Sequence, residues 1–256
     1  MRTSRFHLVK PLVFAISAWM LAISALSQDP QALKVSQFAP VKDLLQQVDF
    51  FIGRVTDSLA DPQDFDGAKQ SRTLKDASTL SALALALSMH DEEFPQKAAM
   101  PSLLKASQQL SAAGENAQQA TQAFAAIKAA RAGGITAGAS ARWEQVASLP
   151  ALMKQVPLIH SGLKRGVEPN RLARQAAQSA GQAAALAAIA QASWLDTEHI
   201  KKREDVGAWQ EYCAQMRDAA GEVNSAVRAA DQARVNAGMQ RLAQSCETCH
   251  AKFRVH

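Results

Sequence analysis

Cysteine is scarce in this chain of 256 residues: there are three, at positions 213, 246 and 249. The first half therefore contains no thiol through which anything could be covalently attached. Aromatic residues make up only 5% of the chain, and runs in which β-branched and polar residues alternate are missing. Strands and the sheet folds built from them are excluded on that ground, while abundant alanine points to an all-α protein. Charge of one sign is also in short supply. The formal net charge is +5, from 28 basic and 23 acidic side chains, and three of the basic ones (Arg2, Arg5 and Lys10) lie in the first ten residues. Without residues 1–27 the balance is 25 against 23, or +2. A nucleic-acid-binding role gains nothing from so small a surplus.

Those first residues have the layout of a secretory signal peptide over 1–27. A basic start is followed by the uncharged, mostly apolar Leu12 to Leu26, and Ala25-Leu26-Ser27 offers small residues for cleavage. The run is short for a spanning helix, which favours removal over retention; an uncleaved N-terminal anchor is the alternative. In both cases the body of the protein lies outside the cytoplasm, with no membrane span once the signal is removed, and the expected location is the periplasm.

The remaining 229 or so residues are enough for two domains. Apolar positions at three- and four-residue steps, broken by Pro and Gly, predict helices over 40–59, 68–90, 96–113 and from there to Arg131, with Gly114 as a cap. Ala132-Gly133-Gly134-Ile135-Thr136-Ala137-Gly138-Ala139-Ser140 has the composition of a linker, placed at 132–141. A second set of four helices is predicted over 149–164, 170–194, 204–229 and 231–254, with Pro157 kinking the first or delaying its start. The expected architecture is two tandem antiparallel four-helix bundles, 40–131 and 142–256. Helix 170–194 is nearly a ladder of Ala, Gly and Gln. Alanine's helix propensity accounts for that composition; close approach to a neighbouring helix or a flat ligand is the other reading. Weak internal similarity sets Leu44-Leu45-Gln46-Gln47-Val48 against Leu152-Met153-Lys154-Gln155-Val156. A separate register sets Phe124, Ile127, Arg131 and Gly134 against Met239, Leu242, Cys246 and Cys249. Duplication is an expectation on this basis.

Chemistry concentrates at the end of the chain. Cys246, Cys249 and His250 form C-x-x-C-H, the attachment signature of c-type haem. Two thiols one helical turn apart reach the two vinyl groups of one porphyrin, and the adjacent imidazole falls beneath the iron. Zinc would need a second ligand pair at metal spacing, whereas the only other cysteine is Cys213. A redox disulfide would be expected near a βαβ pattern, and none is present. The predicted cofactor is a single covalent haem c. Met239, Leu242, Cys246, Cys249 and Phe253 make one stripe on the last helix, which turns the haem toward the bundle interior.

At these residues the sequence resembles the cytochrome c′ family, periplasmic four-helix bundles whose C-x-x-C-H lies near the C-terminus, followed by an aromatic and a basic residue. Here those are Phe253 and Arg254. The Ala229-Ala230-Asp231 turn and Met239-x-x-Leu242 also look like that family. The resemblance covers about 140–256 and is strong in the last 25 residues. It implies that Cys246 and Cys249 hold haem, that His250 is the proximal ligand, and that Arg254 lies close to both. An arginine usual in the first helix of the family is replaced near Trp143 by Glu144, with Arg142 adjacent. The haem-free first half is a second departure.

The sixth iron position stays open between three readings. An apolar cover from Leu149 or Leu152 suits NO or CO, Met153 would give a Met/His pair suited to electron transfer, and His160 shares nearly the same face. Each also has an ordinary structural reading, Met153 as core filler and His160 at the bundle rim. Cys213 reads as a buried structural cysteine, Trp194 and Trp209 as packing at the bundle ends, and His90 has no evident partner. His199 and Lys201-Lys202-Arg203 read as a solvated loop, or as a patch guiding an acidic redox partner. The expected function is one-electron transfer or diatomic gas binding, with a redox partner protein or a gas as the partner and a homodimer open. A peroxidase using His160 as its acid–base group, and a partner-binding role for the haem-free half, are the alternatives.

Overall fold

The computed structural model describes residues 33–253. The signal-peptide reading and Arg254 lie outside the described residues. Among the described residues the chain is all helical: α1 (Val41–Ser58), α2 (Gly67–Ser88), α3 (Met100–Ala112), α4 (Ala117–Arg131), α5 (Leu149–Gly166), α6 (Leu172–Trp194), α7 (Val206–Arg228) and α8 (Gln232–Phe253). No described helix is long and apolar enough to cross a membrane.

The boundaries follow from local chemistry. Asp66 and Asn116 accept hydrogen bonds from the amides of Lys69 (2.9 Å) and Gln119 (3.0 Å) and so cap α2 and α4. Gly114 ends the α3 segment at a φ of +54°, as a C-terminal cap requires. The α3 start falls at Met100 rather than 96, because Lys97–Ala99 first forms a 3₁₀ turn. Pro157 lies inside α5, which begins at Leu149, so the start is not delayed. Between α7 and α8 the left-handed position is Ala230, at a φ of +53°. The Asp231 amide closes onto Ala226 O (3.0 Å) while the Asp231 side chain accepts from the Arg234 amide (3.0 Å). One residue thus completes α7 and caps α8.

Consecutive helices pack side by side except α4 and α5, and α1 also meets α4. The hub of the molecule is α6, which packs on α1, α2, α5 and α7. Every residue from Ser179 to Ser193 is buried, and most are alanine. Side chains this small allow helix axes to approach on several sides at once, so the ladder serves packing between helices as well as propensity. Residues 132–148 hold no regular helix, yet they lie along α3: the Thr136 amide donates to Ser102 Oγ (2.7 Å), and Val146 is buried in the core.

Two buried carboxylates join the first four helices to the last four. Asp43 on α1 accepts from Asn224 Nδ2 (2.7 Å) and Arg228 Nη1 (3.0 Å) on α7. Asp76 on α2 accepts from Arg54 Nε at 3.1 Å and from Gln155 Nε2 on α5 at 2.6 Å. His90 is likewise satisfied, with Nε2 3.1 Å from Ala39 O and Nδ1 accepting from the Glu92 amide (3.0 Å), so its role is structural.

Burial raises the Asp76 carboxyl above the ordinary carboxylate range; the Arg54 guanidinium, the Gln155 bond and Arg72 offset this only in part. A group that holds its proton more tightly when folded contributes stability below its unfolded pKa. That contribution is lost as pH rises through the folded value. The melting temperature of Asp76→Asn relative to the wild type is therefore expected to climb as pH goes from about 4 to about 7. A thermal-unfolding series at several pH values checks this, and a pH-independent difference would contradict it.

Candidate functional site

The inward stripe of α8 runs through Val235, Gly238, Leu242 and Ser245, with Met239, Cys246, Cys249 and Phe253 half-buried beside it. A Cβ on Gly238 would stand 2.8 Å from Val223 Cγ2, so the glycine sets the close approach of α8 to α7. The far end of α8 is fastened to the same neighbour. Phe253 meets Trp209 edge-on with ring centroids 5.4 Å apart, Tyr212 at 6.1 Å, and Lys252 Nζ pairs with Asp205 at 2.8 Å. Trp209 is held in turn by donating from Nε1 to Ser193 O (3.0 Å).

Across from α8, α5 leans on α2 and α6. Its first turn is tied by the Leu149 amide donating to the buried Asp196 (3.1 Å), which also accepts from Gln145 (2.9 Å). Between α5 and α8 lies a cavity of about 640 Å³, within the ~300–1,000 Å³ usual for small-molecule and cofactor sites. Leu149, Met153, Val156, Pro157 and His160 form the α5 wall, and Cys246, Cys249, His250 and Phe253 form the α8 wall. Trp209, Tyr212, Cys213 and Met216 close it from α7, and Ala190 and Ser193 from α6.

The cavity unites most of the residues singled out in the sequence. Cys246, Cys249, His250, Phe253, Leu149, Met153 and His160 all line it. Leu152 is not in the lining: it is fully buried in the core beside Leu149 and Val156. Arg142 is engaged with Glu144 (2.6 Å) at the surface, and the cation on the lining is Lys154 instead. Cys213 is buried as expected, but in the cavity wall. The signal that would have placed it there is Trp209-x-x-Tyr212-Cys213-x-x-Met216, a three- and four-residue spacing on one face of α7.

The lining is largely apolar with a few polar side chains, which suits an apolar ligand with a few polar attachments. Two buried polar atoms on it, Ser193 Oγ and His160 Nε2, have no hydrogen-bond partner among the described residues. A buried polar atom normally has one, so both are suited to a bound group. Burial, and then Lys164, lowers the His160 pKa, which leaves a neutral ring at pH 7. Burial raises the Cys246 thiol, and burial followed by the proximity of Cys246 pushes Cys249 up to about 11. Cys213 is raised further, burial again being the main cause. Among the described residues no group of three or more His, Cys, Asp or Glu side chains is gathered to hold a bare metal ion.

No family model matches the chain, and no curated protein or solved structure matches it either.

The thiols should separate by accessibility in the chain before anything is attached. With iodoacetamide at mild alkaline pH, Cys246 and Cys249 are expected to be modified first and Cys213 about tenfold more slowly or less, since thiolate fraction and access together set the rate. Peptide mass mapping over time reads the order; Cys213 reacting first would place it outside the cavity wall.

Proposed function

We propose that the chain is a mono-haem c-type cytochrome of the cell envelope, with the porphyrin in the α5–α8 cavity. The observation that carries this reading is that C-x-x-C-H, the cavity and its unpartnered polar atoms coincide. Cys246 and Cys249 would hold the group through thioethers, each S–H adding across one vinyl double bond with no net oxidation. His250, next to Cys249 and on the cavity lining, would offer an imidazole nitrogen to the iron. When bound, the haem iron supplies a one-electron couple and an axial position for a gas such as NO or CO.

The rest of the wall sets the environment. Leu149, Val156, Pro157 and Phe253 exclude water, and low polarity beside a redox centre disfavours its more highly charged state. On the α5 wall Met153 offers a thioether and His160 an imidazole as sixth ligand. The exposed Lys201-Lys202-Arg203 segment lies just before α7 and suits an acidic redox partner at long range. A second reading, peroxidase chemistry, draws on the neutral, unpartnered His160 Nε2 as a proton acceptor.

Expression with a haem-attachment system should give coloured protein whose mass exceeds that of the chain by one porphyrin. Cys246→Ser or Cys249→Ser should retain a single thioether and a much reduced yield, and the double replacement none. His250→Ala should keep covalent haem but lose the native absorption spectrum. Full covalent loading of the double variant would refute the attachment assignment. Peroxide turnover abolished in His160→Ala would favour the enzymatic reading over electron transfer or gas binding.

A further inference from the structure

The haem-free helices reach the cavity through α5. Of that helix, Met153, Val156, Pro157 and His160 line the cavity, while Leu152, Gln155, Ile159 and Leu163 are buried outside its lining. Pro157 has no amide hydrogen, so the carbonyl four residues earlier, that of Met153, loses its helical partner. The helix is thereby weakened at the stretch that forms the cavity wall. Directly behind that stretch Gln155 Nε2 donates to Asp76 Oδ1 on α2 at 2.6 Å. Both side chains are at most 1% exposed, and Asp76 is itself held by Arg54 of α1 at 3.1 Å. The ends of α5 have ties of their own, Leu149 N to Asp196 and Val167 O to Gln232 (3.1 Å). The middle, where the backbone ladder is interrupted, is tied to the first four helices by this bond.

We infer that Gln155 and Asp76 are positioning residues for the haem pocket: through them the haem-free half fixes the rotation and depth of α5, and with it the sixth coordination position. This inference rests on the haem reading above and gives the first half a role in that site. The bond sits in a dry setting, where an amide–carboxylate contact is strong and its loss is not replaced by water. An α5 released there can shift or rotate about Pro157, and Met153 and His160 shift with it.

The test compares Gln155→Met, similar in size and leaving Asp76 paired with Arg54, with Asp76→Asn, which retains an oxygen to accept from Gln155. Asn224→Ala serves as control because it removes the Asn224 bonds to Asp43 of α1 and to Ala180 O of α6 without touching α5, Arg228 still holding Asp43. In the full chain before haem attachment, amide hydrogen exchange of residues 151–161 is expected to quicken about tenfold or more in Gln155→Met, with little change there in Asp76→Asn or Asn224→Ala. In holoprotein, Gln155→Met should keep wild-type covalent haem content while its ferric spin-state bands move and ferrous CO association changes several-fold. Unchanged exchange, spectrum and CO rate in Gln155→Met would overturn the inference, as would equal changes in Asn224→Ala. A wild type that never acquires haem would refute the cytochrome reading instead, and the exchange comparison would still decide whether Gln155 restrains α5.

Discussion

A helix built mostly of small side chains lets its neighbours approach closely on every side, and α6 imposes that arrangement on the whole molecule. Most residues from Ser179 to Ser193 are alanine, Leu186 and Ile189 being the large apolar ones, and all are buried. Hydrophobic stabilisation there comes from the larger residues its neighbours bring, among them Leu44, Val48, Leu80, Leu83, Leu163 and Val223, all fully buried. Each contributes roughly 1.5–3 kcal/mol when removed from water. With α1, α2, α5 and α7 arranged around α6, α8 is left with α7 as its main neighbour. Its inward stripe is only partly covered, and the cavity is the space that results.

So many close contacts leave little room for charge, and the carboxylates that remain inside are therefore informative. Asp43 and Asp76 each meet a basic side chain and an amide. A buried carboxylate with those partners is tolerated, but removing one partner exposes the full desolvation cost of the rest. The two bonds cross from α1 to α7 and from α2 to α5, so relative sliding of the two sets of helices would break them. Directional polar contacts fix register where smooth alanine surfaces would not.

This division explains what the sequence made legible. Helix number, order and most boundaries follow from periodicity and from Pro, Gly, Asp and Asn at the ends. The α8 stripe was equally readable, because polar residues separate Met239, Leu242, Cys246, Cys249 and Phe253. On α5 the same reasoning is less decisive: Leu149, Met153 and Val156 line the cavity while Leu152, Ile159 and Leu163 are buried in the core. The apolar arc is wide, so period alone does not say which of its residues border a ligand. The Asp76–Gln155 bond joins residues 79 apart in sequence, and no local pattern announces it. The linker composition of 132–141 gave no sign that residues 132–148 would lie along α3, since the Thr136–Ser102 bond is a backbone-to-side-chain contact across 34 residues.

The seam between α1 and α4 and the space between α5 and α8 are treated in opposite ways. Arg131 and Asp49 form a two-pronged ion pair, Nε to Oδ1 at 2.7 Å and Nη2 to Oδ2 at 2.9 Å, where α1 meets α4. Being partly solvated, that pair adds no more than about 1 kcal/mol; the buried Phe124 and Ile127 beneath it supply the closure. In the second set Cys246 and Pro157 stand on opposite walls of the cavity. Neither can donate a strong hydrogen bond or carry a charge to the other, so nothing draws those walls together. One seam is thus shut by buried apolar side chains with an ion pair at its edge, the other stays open, and only the open one has thiols on its wall.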